Sequence, residues 1–332
     1  MGYLFGVDGG NTKTDYFLFS SEGKLIARRR SGTCSHEAFR EGFVMAKKIM
    51  SEEIGIILGE NNLTPSDIDA ACFGLAGCDV ESQHMKLVEI IKEIGFKKFV
   101  VYNDSFIGIK AGTTKGYGVC SVNGTGTCCG GIDKNGKVLQ VGGIGGITGD
   151  YAGGREVARN VVARVFDYCF RMGKETALKD LVFNAFGITD KFDLEDAIVS
   201  KFISRKIDYN QFTLACFKYA SKGDEVAINI LEEMAGHLAR SVSGTILSLD
   251  FDDEVEVVMI GSVYVKASCQ ILNDKFKELV LKYTKKNCKF IILDVPPATG
   301  SIIWAKELYD GAFPSLEKRH EIIEELRKWN WY

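Results

Sequence analysis

One pattern occurs twice in this chain and constrains its fold more than any other. The apolar segment Tyr3-Leu-Phe-Gly-Val-Asp8 runs into Gly9-Gly-Asn-Thr-Lys-Thr14, continues as Tyr16-Phe-Leu-Phe-Ser20, and turns at Glu22-Gly23 into Lys24-Leu-Ile-Ala-Arg28. The order returns as Tyr117-Gly-Val-Cys-Ser-Val122, then Asn123-Gly-Thr-Gly-Thr127, then Cys128-Cys-Gly-Gly-Ile132, with a turn at Asn135-Gly136 before Lys137-Val-Leu-Gln-Val141. Gly10 precedes Gly23 by 13 positions and Gly124 precedes Gly136 by 12. Each pass reads strand, glycine turn, strand, polar-glycine turn, strand. A duplicated three-strand meander opening each half of a two-domain α/β protein fits this echo better than a solenoid does.

Length agrees. At 332 residues the chain exceeds the size at which one hydrophobic core stops growing. The boundary is expected at a hinge, Gly112-Thr-Thr-Lys-Gly116, giving units 1–115 and 116–314, with a polar helix over 315–330 packing back to complete the first. Residues 37–58, 155–170, 224–249 and 265–283 carry apolar side chains at helical spacing. Short apolar runs at 68–75, 99–102, 255–260 and 289–293 read as strands, the first two as central parallel ones.

Composition narrows the function. A net charge of -3 leaves no basic surplus for nucleic acid, and runs such as Arg28-Arg29-Arg30 read as solvated faces. The ten cysteines are scattered without a C-x-x-C pair, which reads as reduced, mostly buried thiols. No apolar run reaches membrane-spanning length, and the N-terminus reads directly into a strand, so a cytoplasmic protein without membrane partners is expected.

The chemistry centres on the loops. In the first, backbone N–H groups and the Thr12 and Thr14 hydroxyls are placed to cradle phosphate oxygens, with Asp8 at the strand end for a hydrated Mg²⁺. Asp-Gly and Gly-Asn are also hairpin dipeptides, so a plain tight turn explains the loop equally well. It is neither a Walker A motif nor a G-x-G-x-x-G before a helix. The second loop repeats the chemistry in the other half, and two such loops in register would face each other across a cleft. Asn103-Asp104 follows an apolar strand, where it reads as a helix cap or as a carboxylate facing that cleft. The glycine-rich stretch 142–150 suits close backbone approach or a flexible turn, and a lone His36 is more often structural than functional.

The order Asp8-Gly-Gly-Asn-Thr-Lys-Thr14, Asn103-Asp104, Gly124-Thr-Gly-Thr127 and Gly261-Ser262-Val263 resembles the superfamily of sugar kinases, heat-shock chaperone ATPases and actin. Within it the chain is similar to the BadF/BadG/BcrA/BcrD ATPase family, and there to the N-acetylglucosamine kinase branch, from Gly6 to Pro296-Pro-Ala-Thr-Gly300. The resemblance implies two ribonuclease-H-like (actin-like ATPase) domains, each a mixed five-stranded sheet with helices, enclosing ATP and sugar in the cleft. It implies an ATP- and Mg²⁺-dependent kinase acting on the 6-hydroxyl of an N-acetylated amino sugar, N-acetylglucosamine and/or N-acetylmuramic acid, in amino-sugar or cell-wall sugar salvage. A homodimer is expected.

Carried over residue by residue, Gly10, Asn11, Thr12, Lys13, Gly124, Thr125 and Gly126 would serve the ATP phosphates, and Gly261 and Ser262 the adenosine. Asp104 would be the catalytic base. Ser35, His36, Asp104, Thr127, Gly143, Ile144, Gly145 and Asp150 would meet the sugar. Three departures fall on the sugar side: Ser35 where related kinases often have Asn, Ile144 where some have an aromatic, and Tyr151 where the family has an acidic residue. The competing readings are a glucosamine or glucose kinase, and an activator of 2-hydroxyacyl-CoA dehydratases with a [4Fe–4S] cluster. The second needs thiolates at the cluster, and vicinal Cys128-Cys129 inside a strand point to opposite faces.

Overall fold

The computed structural model describes residues 2–266 and 269–328. Among these, ten strands form two five-stranded sheets. β1 (Tyr3–Gly9), β2 (Lys13–Ser20), β3 (Leu25–Gly32), β4 (Ala70–Leu75) and β5 (Phe99–Tyr102) make the first. β6 (Gly118–Asn123), β7 (Thr127–Ile132), β8 (Val138–Gly142), β9 (Glu254–Ile260) and β10 (Asn287–Ile292) make the second. Read from the meander edge, the orders are β3-β2-β1-β4-β5 and β8-β7-β6-β9-β10. The two halves therefore share one topology. In each, the meander pairs antiparallel and the last two strands add in parallel. Parallel pairing requires crossovers, and helices supply them.

In the first half these are α1 (Phe43–Gly59) and α2 (Glu81–Ile94), and α3 (Asp104–Gly112) leads on from β5 to the second sheet. The apolar periodicity from residue 37 overran the true start of α1. Gly42 has φ +57°, outside the helical region, and residues 36–38 form a separate 3₁₀ turn. The second half carries α4 (Gly154–Phe170), α5 (Leu178–Phe186), α6 (Leu194–Ala197), α7 (Asn210–Ala220), α8 (Glu225–Ser248), α9 (Ser262–Val265) and α10 (Ile271–Thr284). The expected helix over 265–283 is thus split, and residues 267 and 268 lie outside the described residues.

Two further helices return to the first sheet. α11 (Thr299–Asp310) lies against β1, β4 and α3, although its residues fall in the range expected for the second unit. α12 (Leu316–Arg327) contacts α11 and β3, and residues 329 and 330 of the expected closing helix lie outside the described residues. α3 and α11 share one apolar core with both sheets, in which Phe17 and Phe19 of the first join Cys120, Val258 and Ile260 of the second. Gly300 makes this crossing possible. A Cβ there would fall inside van der Waals contact of the Ile107 carbonyl.

The segment between the halves is well held. Glu256 accepts from the Thr114 N–H at 2.6 Å, and Arg319 of α12 donates to the Thr113 carbonyl at 2.7 Å. Both side chains are buried. All ten cysteines are free thiols, and no described helix is long and apolar enough to cross a membrane.

Candidate active site

The first loop is the β1–β2 hairpin, closed by the Gly10 N–H donating to the Lys13 carbonyl at 2.9 Å. Asn11, Thr12 and Lys13 are exposed at its tip, so the turn geometry and the availability of Thr12 for a ligand hold together. Its base is fixed from two sides. The Ala76 N–H donates to the Gly9 carbonyl at 2.6 Å, and the Thr33 hydroxyl donates to the Gly10 carbonyl at 2.8 Å. Asp8 stands across β2 from Asp15, which Arg30 of β3 clamps with two hydrogen bonds of 2.6 and 3.0 Å.

Asp104 is the first residue of α3. The preceding Asn103, a buried residue, caps the helix: its Oδ1 accepts from the Ser105 N–H at 2.9 Å. Cap and carboxylate are therefore separate residues, one turning the backbone and the other left facing the cleft. Burial, with the Asp79 charge behind it, pushes the Asp104 carboxyl up to about 6. Burial and then the Asp104 and Asp15 charges push Asp8 up to about 7. Two crowded, part-desolvated carboxylates are stabilised by an added positive charge. Asp8 thus fits a hydrated Mg²⁺, which keeps several waters and takes only one or two protein carboxylates. Among the described residues no group of three or more His, Cys, Asp or Glu forms a denser metal cage.

On the other face, the β6–β7 hairpin carries Gly124, Thr125 and Gly126. Its stem is closed by the Gly124 N–H to the Gly126 carbonyl at 3.0 Å and by the Thr127 hydroxyl to the Val122 carbonyl at 2.8 Å. The head of α4 is tied to it, with the Gly154 N–H donating to the Gly124 carbonyl at 2.8 Å. Gly261, at φ +108°, packs directly on Asn123 and Gly124, which brings Ser262 beside the loop. Thr125, Arg155, Asn210, Phe217, Ser262 and Lys266 then line a cavity of about 580 Å³. Arg155, Asn210, Phe217 and Lys266 carry no local sequence signal. They come from α4, α7 and the end of α9, and only folding brings them to the loop.

The remaining candidates lie on the turn after β3 and on the glycine loop after β8. Ser35 and His36 meet the Gly77 turn, and His36 stacks on Phe43 with ring centres 3.9 Å apart. The Ser35 hydroxyl and His36 Nδ1 are both buried without a hydrogen-bond partner. Such orphaned polar atoms are costly unless a ligand satisfies them. Asp150 organises the glycine loop, since its Oδ2 accepts from the Gly143 and Gly145 N–H groups at 2.9 and 2.7 Å and from the Thr148 hydroxyl at 2.9 Å. Ile144 is 56 % exposed at the loop's tip, and Tyr151 turns away to meet the His237 ring edge-on at 5.2 Å.

Cys128 and Cys129 do point apart. The Cys128 thiol faces Asn103, and Cys129 faces Thr245 of α8 at 3.3 Å. Burial raises both thiols above their ordinary range.

The chain and its fold are similar to those of known proteins. The chain is 26% identical over 312 residues to the N-acetylmuramic acid/N-acetylglucosamine kinase of Clostridium acetobutylicum, covering 93% of this chain and 100% of that protein. It is 24% identical over 315 residues to the N-acetyl-D-glucosamine kinase of Dictyostelium discoideum, covering 91% and 97%. Its fold matches a ROK family glucokinase from Streptomyces griseus, solved with glucose and AMPPNP, at a TM-score of 0.53, 17% identity and coverage of 94% and 99%. Two glycine hairpins on sheets of one topology agree with a profile match spanning residues 5–305, and the chain belongs to the BadF/BadG/BcrA/BcrD ATPase family.

Proposed function

We propose that this protein is an ATP-dependent sugar kinase that phosphorylates the 6-hydroxyl of an N-acetylated amino sugar. The observation that carries this reading is the Asp104 carboxylate at the head of α3, crowded by Asp8 of the first loop and by Asp79. In the reaction Asp104 accepts the sugar hydroxyl proton as that oxygen bonds to the γ-phosphorus. The bond from the γ-phosphorus to the bridging oxygen breaks, and ADP leaves. The Thr12 and Thr125 hydroxyls and the loop N–H groups orient the phosphates. Ser262, which lines the cavity, would meet the nucleoside, and Arg155 and Lys266 of the same lining would add positive charge. Mg²⁺, held through water by Asp8, supplies charge neutralisation on the phosphates when bound.

Ser35 and His36 offer the sugar one hydroxyl and one ring nitrogen. Ile144 leaves the rim of the loop open, which accommodates the extra substituent of N-acetylmuramic acid as well as N-acetylglucosamine. Salvage of amino sugars or cell-wall sugars is the setting this chemistry serves. ADP release measured over N-acetylglucosamine, N-acetylmuramic acid, glucosamine and glucose is the direct test. Turnover is expected for at least one N-acetylated sugar at a kcat/KM above that for glucose, and silence on both N-acetylated sugars would sink the proposal.

A further inference from the structure

A side-chain bridge joins the two halves beside the base. Asp79 lies in the turn after β4, where Gln83 pins the backbone by accepting from the Asp79 and Val80 N–H groups at 2.9 and 3.0 Å. Its Oδ1 accepts two amide donors. One is Asn103 Nδ2 at 2.8 Å and the other is Gln140 Nε2 at 2.6 Å. Asn103 is the cap of α3, so its amide is held at both ends, by Asp79 and by the Ser105 N–H. Gln140 belongs to β8 of the second sheet, and its Nε2 also reaches the Gly142 carbonyl at 3.3 Å. One carboxylate oxygen thereby ties the first sheet, the residue before Asp104 and the strand feeding the glycine loop.

The loop is built onto this bridge. Gly143 has φ +94°, which favours glycine, and a Cβ there would stand 2.9 Å from Gln140 Nε2 and 3.2 Å from Asp79 Oδ1 and press on the bridge. From its other side Gly143 is held by Asp150 through its N–H at 2.9 Å. Asp150 thus holds the loop directly, and Asp79, from the other half of the molecule, holds it through Gln140. Neither Asp79 nor Gln140 lies in a glycine loop.

We propose that Asp79 and Gln140 form an interdomain clasp that positions Asn103, and through it Asp104, while holding loop 142–150 at the sugar side. The clasp rests on the kinase reading only for its catalytic consequence; the structural link stands apart from it. Both are positioning residues and neither touches a reacting atom.

The tests separate the two levels. Hydrogen exchange on the unliganded full chain should show the amides of residues 142–150 exchanging faster in Gln140→Ala and Asp79→Ala than in wild type. Melting temperatures check that each variant is folded. Unchanged exchange in folded variants overturns the clasp whether or not any sugar is turned over. Where wild type shows sugar turnover, Gln140→Ala should lower kcat/KM for sugar about 10- to 100-fold, as expected when a partner is removed from a hydrogen bond to a charged group. The KM for ATP should stay within about twofold, which a general folding defect would not allow. The Asp79→Ala/Gln140→Ala double variant should cost little more than either alone. Asp79→Asn, which keeps an oxygen acceptor in place, should recover most of the loss. Additive losses, an equal rise in the ATP KM, or an Asp79→Asn no better than Asp79→Ala would each overturn the positioning role.

Discussion

At the scale of single residues, the site is governed by where charge is buried. Asp104 is a carboxylate whose removal from water costs more than its few donors return, and Asp79 adds repulsion, which together hold it up to about 6. A base works in its ionised form, so the sign is set. kcat/KM should be level well above pH 7, where Asp8 is ionised as well, and the Asp104 limb should add a fall of about tenfold per unit below pH 6. Replacing Asp104 with Asn should lower kcat by about 10²–10⁴-fold and abolish that acid limb, while calorimetry still detects the sugar. Near-wild-type turnover in Asp104→Asn would remove it from the base role. Asp150→Ala releases three donors and should weaken sugar binding mainly through the loop, with KM rising more than kcat falls. Equal loss in both would point to a different job for Asp150.

At the scale of elements, the crossing of α3 and α11 is the tightest contact on which the site depends. α3 presents Asp104 from its first turn, and its direction is set by packing between both sheets and against α11. Gly300→Ala drives a methyl group into the Ile107 carbonyl, a backbone atom that cannot yield without moving the helix. Overpacking of this kind costs about 1–3 kcal/mol. We expect a lower melting temperature by circular dichroism together with reduced kcat, whereas a fully stable Gly300→Ala would show that the helices separate freely. This helix pair also marks the limit of periodicity as a guide. α11 follows two prolines, and its apolar positions make sense only against neighbours distant in sequence.

At the scale of the whole molecule, the two halves are joined by more than the chain between them. The segment around residues 113–114 is anchored by Glu256 from the second sheet and Arg319 from α12. The closure we propose over ATP and sugar would turn about this anchored segment and expel water from the cleft. Arg319→Ala leaves the buried Thr113 carbonyl without its donor and should cost about 1–3 kcal/mol in urea unfolding. A stability unchanged within error would show that the pivot does not depend on this contact.

Much of this was legible beforehand, and the reason is local. Glycine hairpins, alternating strand segments and an Asn-Asp pair after a strand are contiguous in sequence, and their backbone demands act over a few residues. The duplication, the strands and both loops follow from such signals, whereas the five-stranded sheets and the role of Asp104 were expected from the family resemblance. What lies around them is not contiguous. Asp79, Gln140, Arg155, Asn210 and Lys266 are ordinary polar residues in the sequence, and each gains meaning only from what folding sets against it. Ser35 and His36 are similar, since their unsatisfied atoms are a property of burial and not of identity. The chain alone determined the two sheets and the loops that meet at the cleft, because those depend on local backbone chemistry. Tertiary packing alone decided which side chains close around the ligands and how the halves are clasped, because desolvation and hydrogen-bond partnership arise only when distant segments meet.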